Sequence, residues 1–156
     1  MKTLAGILIA FLLLNGCVRD DKKIYDEFKE INTSSWNWNE SKTFTFTITD
    51  ATYAYNIVCG LRITGSYNYS NIWLLYTIEG EGFSKKQQFQ IPLSDNTGKW
   101  LGTGMSNLIS YDYLFLQNVQ FKPGKYTIRI NQNMRDEKLT SVSDIGLKIY
   151  KETKIY

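Results

Sequence analysis

The chain has 156 residues, 21% of them charged and 15% aromatic, with a formal charge of +3 and no histidine. One domain's worth of chain this rich in rings excludes disorder, and so small a charge excludes an electrostatic nucleic-acid binder. Without histidine there is no Ser-His-Asp or Cys-His nucleophile and no His-ligated metal centre.

The N-terminus carries an address. Lys2 precedes an apolar run, Leu4 to Leu14, in the manner of a secretory signal. That run falls well short of the roughly 20 residues that a bilayer-spanning helix needs. It ends in Leu14-Asn15-Gly16-Cys17, which resembles the lipobox of bacterial lipoproteins. There a small residue precedes a cysteine whose thiol takes up diacylglycerol, and cleavage would leave Cys17 as the lipidated N-terminus. Each buried methylene contributes roughly 0.8 kcal/mol, so one acyl chain anchors marginally and two or more anchor stably. Residues 1–16 therefore read as a lipoprotein signal peptide, 17–40 as the lipidated cysteine with a polar tether, and 41–156 as a β-sandwich domain. Val18, where an aspartate would suggest inner-membrane retention, favours the outer membrane. Arg19-Asp20-Asp21 looks like a surface-export signal, and a solvated linker explains it equally well. The periplasmic and surface orientations both remain open.

Over 18–35, Ile24, Phe28 and Ile31 are spaced like one face of a short helix. A tether with Tyr25 and Phe28 docked on the domain is the alternative. From Lys42 the period becomes two. Seven alternating sets follow, centred on Phe46, Cys59, Leu74, Ile91, Tyr113, Ile128 and Leu147. Half-buried antiparallel strands give this pattern because successive side chains point to opposite faces. Glu79-Gly80-Glu81-Gly82, Asp95-Asn96-Thr97-Gly98 and Pro123-Gly124 supply the turn residues between them. The expected fold is an all-β antiparallel sandwich, Ig-like or jelly-roll, of about seven to nine strands.

Few residues suggest chemistry. Asp95 could open a calcium loop, but no later acid has the required spacing, so it reads as a turn. Glu79 and Glu81 could be paired glycosidase carboxylates, yet they occupy a hairpin tip where acids simply stay hydrated. Cys59 sits in an apolar alternation and reads as a small buried thiol. Arg62 and Arg135 read as surface cations paired with acids, and an Arg135–Asp144 pair would close the last connection. Trp36, Trp38, Trp73 and Trp100, with the tyrosines, exceed what a small core needs. Some rings are expected outside, stacking on sugars or on a protein partner, and Trp73 stands out of phase with Ile72 and Leu74.

Several segments together resemble the gliding-motility lipoprotein H (GldH) family. They are Tyr67-Asn68-Tyr69-Ser70-Asn71-Ile72-Trp73, Gly98-Lys99-Trp100-Leu101-Gly102-Thr103-Gly104, Pro123-Gly124-Lys125-Tyr126, Gln132-Asn133-Met134-Arg135 and Asp144-Ile145-Gly146-Leu147. The resemblance implies an outer-membrane lipoprotein needed for gliding, with no known enzymatic activity or cofactor, and the residues suggest no metal site. Its partners would be the membrane, through the lipid anchor, and envelope or gliding-machinery proteins, but no nucleic acid. The alternative is a glycan-binding surface lipoprotein that uses exposed Trp and Tyr platforms. Tyr67, Tyr69, Asn71, Trp73, Lys99, Trp100 and Arg135 combine rings, amides and cations, and form the candidate interaction surface.

Overall fold

The computed structural model describes residues 21–32, 35–105 and 107–154. The signal segment, Cys17 and Arg19-Asp20 lie outside them. Strands follow one another as β1 (Lys23–Glu30), β2 (Ser35–Asn37), β3 (Lys42–Ile48), β4 (Tyr53–Thr64), β5 (Asn71–Gly80) and β6 (Phe83–Pro92). They continue as β7 (Thr103–Met105), β8 (Leu108–Gln120), β9 (Gly124–Gln132), β10 (Lys138–Thr140) and β11 (Val142–Lys154). β2, β7 and β10 have three residues each, so the long strands are the remainder.

All pairings among the described residues are antiparallel. A five-stranded sheet runs β1-β11-β4-β8-β7 and a four-stranded sheet runs β3-β9-β5-β6. β10 and β2 form a small ladder of their own, in which Leu139 lies opposite the buried Trp36. This is the all-β sandwich expected from the alternation, with eleven strands among the described residues.

The core lies between the two large sheets. Ile57, Cys59, Leu61 and Ile63 of β4 and Ile145, Leu147 and Ile149 of β11 face Ile72, Leu74, Tyr76 and Ile78 of β5. Alternate residues of these strands face solvent, as the period of two requires. Aromatic rings close one end of the core, where Phe121 packs against Phe46, Tyr55, Phe83 and Tyr126 with centroids 4.7–6.0 Å apart. Cys59 is fully buried.

One segment departs from its sequence reading. The helical spacing of Ile24, Phe28 and Ile31 does not make a helix; residues 23–30 form edge strand β1, paired with β11 from Glu30↔Asp144 to Lys23↔Tyr150. An isolated helix of this length is marginal in water, whereas pairing with a long strand satisfies the whole backbone. Tyr25 and Lys29 turn inward over Phe46 and Phe44, while Phe28 turns outward. Its ring lies over Gly60 and Gly146, where a Cβ would come within 2.5–2.8 Å of it. Two glycines side by side in neighbouring strands make the seat for one ring.

Candidate functional site

The motif after β9 builds a concavity that its own hydrogen bonds hold in shape. Gln132, the last residue of β9, is 2% exposed, and its amide faces the loop that follows. Its Nε2 donates to the carbonyl oxygens of Asp136 at 2.8 Å and Glu137 at 3.3 Å, and its Oε1 accepts from the Met134 N–H at 2.8 Å. One side chain thus replaces the backbone partners that a connection of this shape lacks. The loop is then stitched to β5: Asn133 N–H donates to the Trp73 carbonyl at 2.8 Å, and Trp73 N–H donates to Met134 Sδ at 3.2 Å.

The result is a pocket of about 490 Å³. Tyr69, Asn71 and Trp73 line it from the start of β5 and the segment just before it, Asn133, Met134, Arg135 and Asp136 from the loop after β9, and Gln88 from β6. Asn133 Nδ2 donates to Gln88 Oε1 at 2.9 Å, which fixes both amides. The Tyr69 hydroxyl donates to Asp136 Oδ2, and this bond, then desolvation, raises the Tyr69 pKa. Among the described residues, the Arg135 guanidinium has no acid within ion-pair distance, and the Asn71 carboxamide has no hydrogen-bond partner. A shallower concavity of about 330 Å³ adjoins through Asn133 and is lined by Leu75, Asn131 and Trp38, the last 44% exposed.

The fold therefore brings four of the seven candidate residues together: Tyr69, Asn71, Trp73 and Arg135. Tyr67 stands behind them, 5% exposed, its ring edge-on to Tyr69 at 5.8 Å and its hydroxyl donating to the Asn71 carbonyl at 3.1 Å. Burial holds its phenol well above the ordinary tyrosine pKa. Lys99 and Trp100 lie elsewhere, on a hairpin that a Ser94–Trp100 bridge closes. Asp95 Oδ1 accepts from Thr97 Oγ1 and from the Thr97 and Lys99 amides, which holds its carboxyl below its usual range; this is the expected turn. Half-buried Trp100 packs on the core. Gln132, Asn133, Met134, Gln88 and Asp136 were not among the candidates, although the Gln-Asn-Met-Arg run is visible in the sequence.

Asp144 pairs differently from expectation. Its carboxylate lies 4.0 Å from Arg62 and accepts from Ser143 Oγ at 2.8 Å. Arg135 cannot close on it because β10 and Ser141, in the left-handed region at φ 66°, carry the chain from the four-stranded sheet's side to the five-stranded sheet.

A third hollow, about 550 Å³, lies on the five-stranded sheet beside Phe28. Arg62 stacks on that ring at 4.1 Å to its centroid, and Lys148 Nζ lies 2.7 Å from Asp112. Leu101, Leu108 and Leu114 are all exposed on this side of the molecule or its edge. Among the described residues, no group of three or more acids or cysteines could hold a metal ion, and no helix is long and apolar enough to cross a membrane. Cys59 has its thiol pKa pushed far up by burial, then by the charge of Asp112, so it is held as an unreactive thiol.

An all-β sandwich domain with a ring-and-amide pocket at one end defines the class. Within that class, the chain belongs to the GldH lipoprotein family, whose profile matches residues 23–149. It is 30% identical over 151 residues to the gliding motility lipoprotein GldH of Flavobacterium johnsoniae, covering 92% of each chain. To the gliding motility lipoprotein GldH homolog of Christiangramia forsetii it is 27% identical over 153 residues, again with 92% of each covered. Among solved structures, the infectious bursal disease virus VP2 subviral particle is similar at a TM-score of 0.35 and 16% identity, over 95% of this chain and 37% of that one. A likeness of that degree carries no argument.

Proposed function

We propose that this chain is a lipid-anchored, non-enzymatic component of a gliding-motility machine in the outer membrane, working through contacts with envelope proteins. The observation that carries the reading is the family match, which spans β1 to β11 in the order and spacing of relatives named for gliding motility. The lipobox ending at Cys17 supports the anchor, and acylation would tether the sandwich through a short polar segment. Exposed Leu101 at the rim of the Phe28 hollow, with Trp38 and Tyr69 exposed on the other face, supports contact with other proteins.

Deleting the gene and scoring colony spreading and single-cell gliding tests the function. Deletion abolishes gliding, and the wild-type gene restores it while the Cys17→Ala gene does not. Labelling cells with a radioactive fatty acid marks the wild-type protein and leaves Cys17→Ala unmarked. Normal gliding in the deletion strain overturns the motility role, and equal labelling of both proteins overturns the anchor.

A further inference from the structure

The pocket between Trp73 and Arg135 has a chemistry of its own, independent of the motility reading. A pyranose ring offers a C–H face, an edge of vicinal hydroxyls and, in a uronic acid, one carboxylate. Each feature meets a matching group here. Trp73 stands on the outward face of β5 between buried Ile72 and Leu74, so part of its ring is left to the pocket. Three amides, those of Asn71, Asn133 and Gln88, line the same space and supply both donors and acceptors to adjacent hydroxyls. Two of the three are held in place by their mutual bond at 2.9 Å, so their orientation is set before any ligand arrives. Arg135 brings a planar cation with no acid partner among the described residues, the arrangement that receives a carboxylate through two parallel hydrogen bonds. The neighbouring Asp136 keeps its charge, but one of its carboxylate oxygens is taken by the Tyr69 hydroxyl, which ties that side chain to Tyr69.

We infer that this pocket binds an acidic sugar residue of a glycan, its ring on Trp73, its hydroxyls on the amides and its carboxylate on Arg135. The volume of about 490 Å³ takes one or two sugar rings. Gln132 keeps the site rigid without touching the ligand, because it holds the loop that carries Asn133 to Asp136.

Titration calorimetry of the full-length lipoprotein in detergent tests the assignment. The probes are trisaccharides containing galacturonate, mannuronate or glucuronate, with maltotriose as the neutral control. At least one acidic trisaccharide binds at least about tenfold more tightly than maltotriose, a difference of about 1.4 kcal/mol. Arg135→Gln reduces that probe to the level of the neutral one, and Trp73→Ala removes binding of both. Arg135→Gln replaces a side chain outside the core, so its melting temperature stays at the wild-type value and separates lost binding from lost folding. The inference is overturned if no acidic trisaccharide binds more tightly than about 10 mM, or if Arg135→Gln binds the acidic probe as the wild type does. Binding that appears only with a captured envelope protein, and not with any trisaccharide, overturns it as well. Gliding is not read in this experiment, so its result stands apart from that of the deletion strain.

Discussion

The two outer faces of the sandwich are built from different materials. On the four-stranded sheet, Thr43, Thr45 and Thr47 of β3 lie beside Arg129 and Thr127 of β9, and Asn131 lies beside Leu75 of β5. Short hydroxyls and amides dominate that face around Trp73 and Leu75, and its deeper concavity is built on the loop that Gln132 supports. On the five-stranded sheet, Phe28 crosses from the edge strand and fills a seat made by Gly146 and Gly60. There a hydrophobic ring is used on the outside, with Arg62 and Lys148 laid over it. One face is held up by a buried polar side chain and the other by a half-buried apolar one. The difference teaches that a sheet's solvent face is not idle surface, and that the two faces fail in different ways.

Gln132→Leu tests the polar support and has the largest expected effect. Leucine fills similar volume but leaves the Met134 amide and the Asp136 carbonyl without that partner, while the Glu137 carbonyl keeps the Trp38 N–H at 3.0 Å. A fully buried group so abandoned would cost about 1–3 kcal/mol; these two are part-buried, so a loss of about 2–4 kcal/mol together is expected, allowing for water reaching the loop. For a domain of this size that lowers the melting temperature by about 5–15 °C. Differential scanning calorimetry measures it, and a loss below about 1 kcal/mol would show that the loop stands without the amide.

Gly146→Val tests the apolar support. The new side chain meets the Phe28 ring at 2.7–2.8 Å from its first carbon, so the ring and edge strand β1 must move. Overpacking of this kind costs about 1–3 kcal/mol. The same substitution in a Phe28→Ala background costs less, because the seat is empty, and the shortfall measures the contact. Equal costs in the two backgrounds would mean that the ring does not depend on the glycine.

Between the faces lies Cys59, whose burial makes stability depend on alkaline pH. An unfolded thiol ionises near about 8.5, while the folded Cys59 is held well above that value. Below about 8.5 both states keep the proton and the group contributes nothing to the pH slope. Above it only the unfolded chain releases the proton, so stability falls at about 1.4 kcal/mol per pH unit. Tyr67, raised by burial as well, adds to the slope above about 10. Urea unfolding between pH 7 and pH 10, as rough limits, should show the decline, and Cys59→Ala should flatten its first part.

Much of this architecture was legible in the chain and some was not, for physical reasons. The period of two from Phe44 to Ile149 showed the sandwich because each strand has one wet face and one dry one, and that contrast is local. Strand β1 misled because its outward Phe28 is paid for by Gly60 and Gly146, about 30 and 120 residues away, which no local period can reveal. In the candidate site, Tyr69, Asn71 and Trp73 were found as chemistry-bearing types in one segment, and Arg135 came from a separate motif. That the two segments meet depends on β5 pairing with β9, a register that the sequence does not spell out. Lys99 and Trp100 share the composition of the site but sit on another hairpin, so composition alone placed them with it.

The smallest effect decides what holds Arg62. Its guanidinium stacks on Phe28 at 4.1 Å from the centroid, while its nearest approach to Asp144 is 4.0 Å, the outer limit of an ion pair. The Arg62 side chain is 38% exposed, so water screens the charge pair more than it screens the stacked contact. A cation over an aromatic face contributes about 0.5–1 kcal/mol at an exposed site, and a surface ion pair contributes about 0–1 kcal/mol. Double-mutant cycles should therefore give a larger coupling for Arg62 with Phe28 than for Arg62 with Asp144. Salt separates the two further: the Debye length shrinks to about 3 Å at 1 M, which removes the ion pair and leaves the contact area of the stack. Arg62→Gln is expected to cost under about 1 kcal/mol, with most of that loss still present in high salt. A cost that vanishes in salt would assign Arg62 to Asp144 and leave Phe28 held by its two glycines alone.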